Sequence, residues 1–211
     1  CRDRSHRYSS SQENEHRPSG LPIVYRLQAL FVCMSFVKLL AVCLFLGPIS
    51  SSAHLADGPA PALSEVEYGL MVAAHAFHRW MVRCMAAAGE AGLSSTEVMI
   101  LHSVCHRSRA KRMADVALVL DIEDLHIVSY AVKKLEMREL LTTRKAGKEK
   151  LVEISAKGRE VCERYAMIRH KILVESLHYH RPDEKALSEQ AALLRFLSGA
   201  YTQAARAATT F

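Results

Sequence analysis

The sequence predicts a mainly α-helical protein with one small β-hairpin. Three observations lead there. Over most of residues 63–206, apolar residues recur three to four positions apart, the period of a helix that buries one face. The short stretch 140–154 (LLTTRKAGKEKLVEI) is instead rich in Thr, Val and Ile around Ala146-Gly147, the composition of two strands and a tight turn. No strand–helix alternation occurs, which excludes a parallel sheet.

Composition sets the outer limits. Half of the 211 residues are hydrophobic, ample for a core, so wholesale disorder is excluded. Nine Gly and six Pro are too few for collagen-like or low-complexity structure. Six Cys without a CxxC pair make neither a disulfide framework nor a zinc ribbon, so a reduced, cytoplasmic setting is expected. The net charge of +6 permits a nucleic-acid partner without requiring one.

Residues 1–20 are polar, with clustered Arg and Ser, and are expected to be disordered. Residues 21–56 are apolar but broken by Arg26 and Lys38, and Leu39–Leu46 is far short of the roughly 20 residues of a spanning helix. From Met34 the segment is similar to a secretory signal. The chain opens on Cys1, so an upstream or poorly ordered extension is the preferred reading; an exported or membrane-tethered protein and a folded N-terminal helix are the rivals. A linker, DGPAPA at 57–62, leads into a domain expected over 57–206.

Within it, Ser64-x-x-Glu67 has the form of a capping box, and Val66, Leu70, Ala73, Phe77, Met81 and Cys84 form a helical stripe. A first helix over 63–88 follows. Ser94-x-x-Glu97 repeats the form and opens a second helix to about 106, with Val98, Leu101, Val104 and Cys105 inward. RSRAKR (107–112) reads as a basic connector. Met113, Val116, Ala117 and Leu120 make a short third helix. Asp121–Asp124 is a polar turn, and its acidic residues suit the start of a fourth helix over 124–137, with Leu125, Val128, Val132 and Leu135 inward. After the hairpin, Ser155–Gly158 opens a helix striped by Val161, Tyr165, Ile168, Ile172 and Leu177 to about 180. Arg181-Pro182-Asp183 breaks it. A last helix, 183–206, carries Leu187, Ala191, Leu194, Leu197 and Tyr201.

Two short helices joined by a tight turn and followed by a basic hairpin form a winged helix-turn-helix plan. The second of those helices can enter a major groove, and the hairpin can reach the neighbouring backbone or minor groove. Candidate DNA contacts on the reading helix are His126, Ser129, Tyr130, Lys133 and Lys134. Connector and wing add Arg107, Arg109, Lys111, Arg112, Arg144, Lys145, Lys148 and Lys150. Tyr130 either packs on the third helix or sets its hydroxyl on a phosphate. A helical protein–protein adaptor without DNA is the other reading of this plan.

These residues resemble the MarR family of winged-helix regulators. The resemblance rests on Ala117–Leu120, Val128-Ser129, Lys134-Leu135-Glu136, Leu140-Leu141-Thr142 and the run Ile154-Ser155-Ala156-Lys157-Gly158, which is similar to the family's L-T-x-x-G signature. It covers roughly residues 63–206. The wing tip departs from the family's Asp-x-Arg, reading Ala146-Gly147-Lys148-Glu149-Lys150, so Lys148 or Lys150 would stand in; the Asp121–Asp124 turn is also a residue longer than usual. Within the family, RWMVRCMAAAG and HRSRAKRMADV look like an LdtR-like subgroup of alphaproteobacterial envelope-stress regulators. The resemblance implies a MarR-like homodimer on palindromic double-stranded DNA, with a DNA-reading unit at about 94–154 and dimerisation helices at about 63–88 and 155–206. Such a protein is no enzyme, and whether it represses or activates is left open, with repression the expectation. It also implies an effector pocket for a small aromatic or amphipathic molecule, which Phe77, Trp80, His102 and Tyr165 could line. Long stripes on the first and the last two helices, more than a reading unit can cover, point independently to self-association.

Other residues have plainer readings. His102 and His106 have the i, i+4 spacing of metal ligands, and His75 and His78 lie on the first helix. No third ligand follows by spacing, so no metal and no cofactor is expected. His178 and His180 read as a helix end. Cys84, Cys105 and Cys162 read as small buried apolar groups. No GxSxG, HExxH, P-loop or dinucleotide glycine motif appears.

Overall fold

The computed structural model of the chain describes residues 53–147, 149–177 and 183–211. The chain divides into two compact units, Cys1–Glu65 and Val66–Phe211. In the first, the described part holds a single-turn helix α1 (Ala53–Ala56) and the opening of α2 (Pro61–Ala87). The polar segment 1–20, the apolar segment up to residue 52 and the start of the signal-like stretch lie outside the described residues. No helix among the described residues is long and apolar enough to cross a membrane.

Helix α2 begins earlier than its Ser64–Glu67 motif predicts. Pro61 takes a first-turn position, where a locked φ suits the helix and the missing N–H has no partner to lose. Ser64 therefore falls inside the helix, and its hydroxyl donates to the Leu55 carbonyl at 2.8 Å instead of capping. The second motif behaves as expected. Helix α3 (Ser95–Cys105) is capped by Ser94, whose hydroxyl accepts from the Glu97 N–H at 3.3 Å while the Glu97 carboxylate accepts from the Ser94 N–H at 2.8 Å.

The connector is not a plain loop. A 3-10 turn (His106–Ser108), with Arg107 at φ 62°, leads into a two-residue strand β1 (Lys111–Arg112). Helix α4 (Met113–Val119), the turn at Asp121 (φ 53°) and helix α5 (Leu125–Met137) follow. The Asp124 carboxylate caps α5 by accepting from the His126 N–H at 2.8 Å. Val128, Ala131, Val132 and Leu135 are its buried face; Leu125, expected inward, is half exposed at the helix's first position. There it precedes the stretch where α5 packs against α3 and α4.

Strands β2 (Leu141–Ala146) and β3 (Glu149–Ile154) pair antiparallel from Leu141↔Ile154 to Ala146↔Glu149, and β1 joins β3 on its other edge. Ala146, expected in the turn, is instead the last residue of β2, and Gly147 follows it at φ 63°. Helix α6 (Ala156–Arg169) starts at Ser155, whose hydroxyl accepts from the Gly158 N–H at 2.9 Å. A π-helical turn over 170–174 and a last short turn α7 (Glu175–Leu177) replace the regular helix expected there. Ile172 and Leu177 are exposed in consequence, because the wider turn rotates the stripe off its face. His178, His180, Arg181 and Pro182 lie outside the described residues. Helix α8 (Glu184–Ala208) ends the chain and buries only Leu197 of its stripe.

The core sits where α2, α3, α5, the hairpin and α6 converge: Met85, Ile100, Leu101, Leu135, Leu140 and Val152 are sealed from solvent. Charge closes its edge. The buried Glu90 carboxylate, just past α2, pairs with Arg138 at 3.2 Å and Lys157 at 3.0 Å, tying the ends of α2 and α5 to the start of α6.

Candidate nucleic-acid interface and adjoining cavity

Helix α5 presents a face opposite to its packing. At about 100° per residue, His126, Tyr130, Lys133 and Met137 fall within about 60° of one another and point away from the buried stripe. All four are exposed; Tyr130 is 71% and Met137 78% accessible. Tyr130 therefore does not pack on α4. Ser129 is half-buried at the flank. Lys134 points elsewhere: its ammonium lies 2.9 Å from the buried Glu97 carboxylate and donates to the Gly92 carbonyl at 3.1 Å, clamping α5 to α3.

The remaining predicted cations divide the same way. Lys111 donates to the Ser103 carbonyl, to Val104 O at 3.4 Å and to His106 O at 2.7 Å, closing the C-terminus of α3. Burial, then the neighbouring Arg109, lowers its pKa. Lys111 and Lys134 thus hold the scaffold rather than face outward. On the wing, Arg144 pairs with Glu153 at 2.8 Å and Lys150 with Glu136 at 3.7 Å. Arg112 pairs with Asp115 at 2.7 Å and lies 3.5 Å from Glu149. The Asp115 hydrogen bond raises the arginine's pKa, and Arg112 holds Asp115 below the usual carboxylate range. Ion pairs this exposed contribute little, so a phosphate can replace the carboxylate. Arg107, Arg109, Lys133 and Lys145 make no ion pair with another described residue. Lys148 lies outside the described residues.

Beneath the connector lies a cavity of about 1160 Å³. Phe77, Trp80, His102 and Tyr165 all line it, so the structure brings the four candidate pocket residues together. His102 stacks edge-on against Tyr165, ring centroids 4.5 Å apart. Its Nε2 is buried without a hydrogen-bond partner among the described residues, and burial lowers its pKa. Burial likewise raises the pKa of Tyr165. The cavity also has a cationic side that its aromatic residues do not foretell. Arg107, Arg109 and Arg112 from the connector and Arg169 from α6 also line it. Arg169 is the last residue of α6, and nothing in the sequence marks where that helix passes α2.

The thiols fit their plain reading. Cys84 and Cys162 are buried, and Cys105 is half-buried. Burial raises Cys84 and pushes Cys162 up to about 12, with Cys105 beside it adding to the rise. Among the described residues no group of three His, Cys, Asp or Glu side chains is placed to hold a metal ion.

Comparison with known proteins agrees with this geometry. Residues 93–158 match a family model described as a winged helix DNA-binding domain. A search of curated proteins finds no match. Among solved structures, a cysteine-to-serine mutant of E. coli MarR complexed with operator DNA superposes with a TM-score of 0.54 at 12% identity, covering 67% of this chain and 99% of that one. CouR from Rhodococcus jostii bound to p-coumaroyl-CoA gives 0.50 at 13% identity, covering 63% and 90%. The expected mainly α fold with a β-hairpin wing is therefore the observed one, with a third, two-residue strand added.

Proposed function

We propose that this chain, with its winged helix DNA-binding domain in a MarR-like fold, is a cytoplasmic transcription regulator that binds a palindromic operator as a homodimer. The observation that carries the reading is the presentation of α5: one stripe sealed in the core and the opposite stripe bare, with Lys133 on it making no ion pair with another described residue. A helix so held can lie in a major groove while the hairpin follows the adjoining backbone. Two copies would meet half-sites about one helical turn apart.

The cavity supports effector control. Its Trp80, Phe77 and Tyr165 side offers an apolar bed, and its arginines favour an acidic group, so an amphipathic anion fits both. Such a molecule acts only by binding the DNA-competent and DNA-incompetent states unequally. The CouR structure, bound to p-coumaroyl-CoA, is a precedent for a ligand in this fold.

Electrophoretic retardation of genomic fragments tests the reading. Retarded fragments that share a palindrome are expected, with affinity falling steeply as salt rises. Lys145→Ala should weaken all sites alike and reduce the salt slope by about 1. No retardation at low salt overturns DNA binding and favours the protein–protein adaptor.

A further inference from the structure

Half of the bare stripe on α5 is apolar. Tyr130 and Met137 are among the most exposed large apolar side chains described, and Ile127, beside Tyr130, is 48% accessible. Ile127 and Tyr130 also line a groove of about 400 Å³ that reaches Ser94 and Asp124, on its polar side. A helix that enters a major groove meets one apolar group on the base edges, the 5-methyl of thymine. In helix-turn-helix domains the N-terminal residues of the reading helix approach the bases. Ile127 and Tyr130 lie in the first six residues of α5, whereas Met137 is its last.

We propose that Ile127 and Tyr130 read thymine methyl groups, so that the operator is chosen partly by where its methyls stand. The inference rests on the DNA-reading function proposed above and names the chemistry that function selects. His126 and Lys133 flank the two residues along the helix and supply polar contacts; a lysine at such a position favours the acceptor edge of guanine. The expected half-site therefore combines thymines read by apolar contact with a guanine read by Lys133.

The full chain is used to select duplexes from a random pool, and the selected duplex is remade with deoxyuridine for thymine at one position at a time. Loss of a contacted methyl should weaken binding about fourfold, the factor for one CH2 group no longer buried. Changing the symmetric position too should give about fifteenfold. In Ile127→Ala and Tyr130→Ala proteins the thymine-to-deoxyuridine ratio should fall toward one at those positions. The salt slope should stay that of the parent, because neither side chain is charged. Both sites are exposed and Ala favours helix, so unchanged far-ultraviolet circular dichroism is expected. Equal binding of thymine and deoxyuridine duplexes at every position overturns the inference, as does discrimination that survives both substitutions; in either case DNA binding itself stands. A pool that yields no bound duplex at low salt overturns DNA reading, and the inference with it.

Discussion

At the scale of single residues, Gly158 explains why the run after the hairpin ends in glycine. A Cβ there would overlap the Leu140 carbonyl oxygen and crowd Ile154. The same carbonyl accepts from the Ser155 N–H at 3.2 Å, so it cannot retreat without loosening the helix start. Gly158→Ala is expected to destabilise the protein by about 2–3 kcal/mol, read as a lower urea midpoint at unchanged slope. His102 makes a second prediction. Its folded-state pKa lies below the ordinary 6.5 because burial disfavours the charged ring. As pH falls through 6.5, the unfolded chain takes up a proton that the folded chain resists, so stability declines. His102→Gln should flatten the fall in melting temperature between about pH 7.5 and 5.5; an unchanged fall would show that other groups cause it.

Between elements, the Glu90 clamp matters most. It binds Arg138 and Lys157 at the meeting point of α2, α5 and α6, while Arg138 also donates to the Ala91 carbonyl at 2.7 Å and Lys157 to the Arg138 carbonyl at 2.8 Å. Both cations are partly exposed and so partly screened. Glu90→Gln is therefore expected to lower stability by only about 1–2 kcal/mol, measurable by urea unfolding. The sequence made some of this architecture readable. The packed helices announce themselves because each buries a stripe of period 3.6, and α3 carries its own cap in Ser94 and Glu97. The hairpin shows through its β-branched residues and Gly147. Strand β1 does not, because two charged residues have no alternation to read and pair only where β3 offers an edge. The π turn at 170–174 and the exposed Leu125 are equally silent, since both depend on where neighbouring elements end. For the site, exposed positions on α5 followed from its period. The internal partners of Lys111 and Lys134 did not, because a long cation's destination is set by carbonyls and carboxylates far along the chain.

For the whole molecule, the decisive feature is apolar surface left bare. Val72 and Phe77 on α2, Met167 on α6 and Leu193, Leu194 and Phe196 on α8 are all exposed, more than a lone subunit usually shows to water. Light scattering should give twice the chain mass, and Phe196→Asp should shift the protein toward monomer and weaken binding to a two-half-site duplex at least tenfold. A dimer that withstands this change would place the contact elsewhere. Finally, Lys111 and Arg112 serve two structures at once: both border the cavity, and both are rungs of the ladder to Val152 and Leu151 on β3. Cavity and hairpin thus share a hinge two residues wide. In the regulator proposed above, a guest that shifted Arg112 would pull directly on β3, the sheet's middle strand and one arm of the hairpin, with no message relayed through the core.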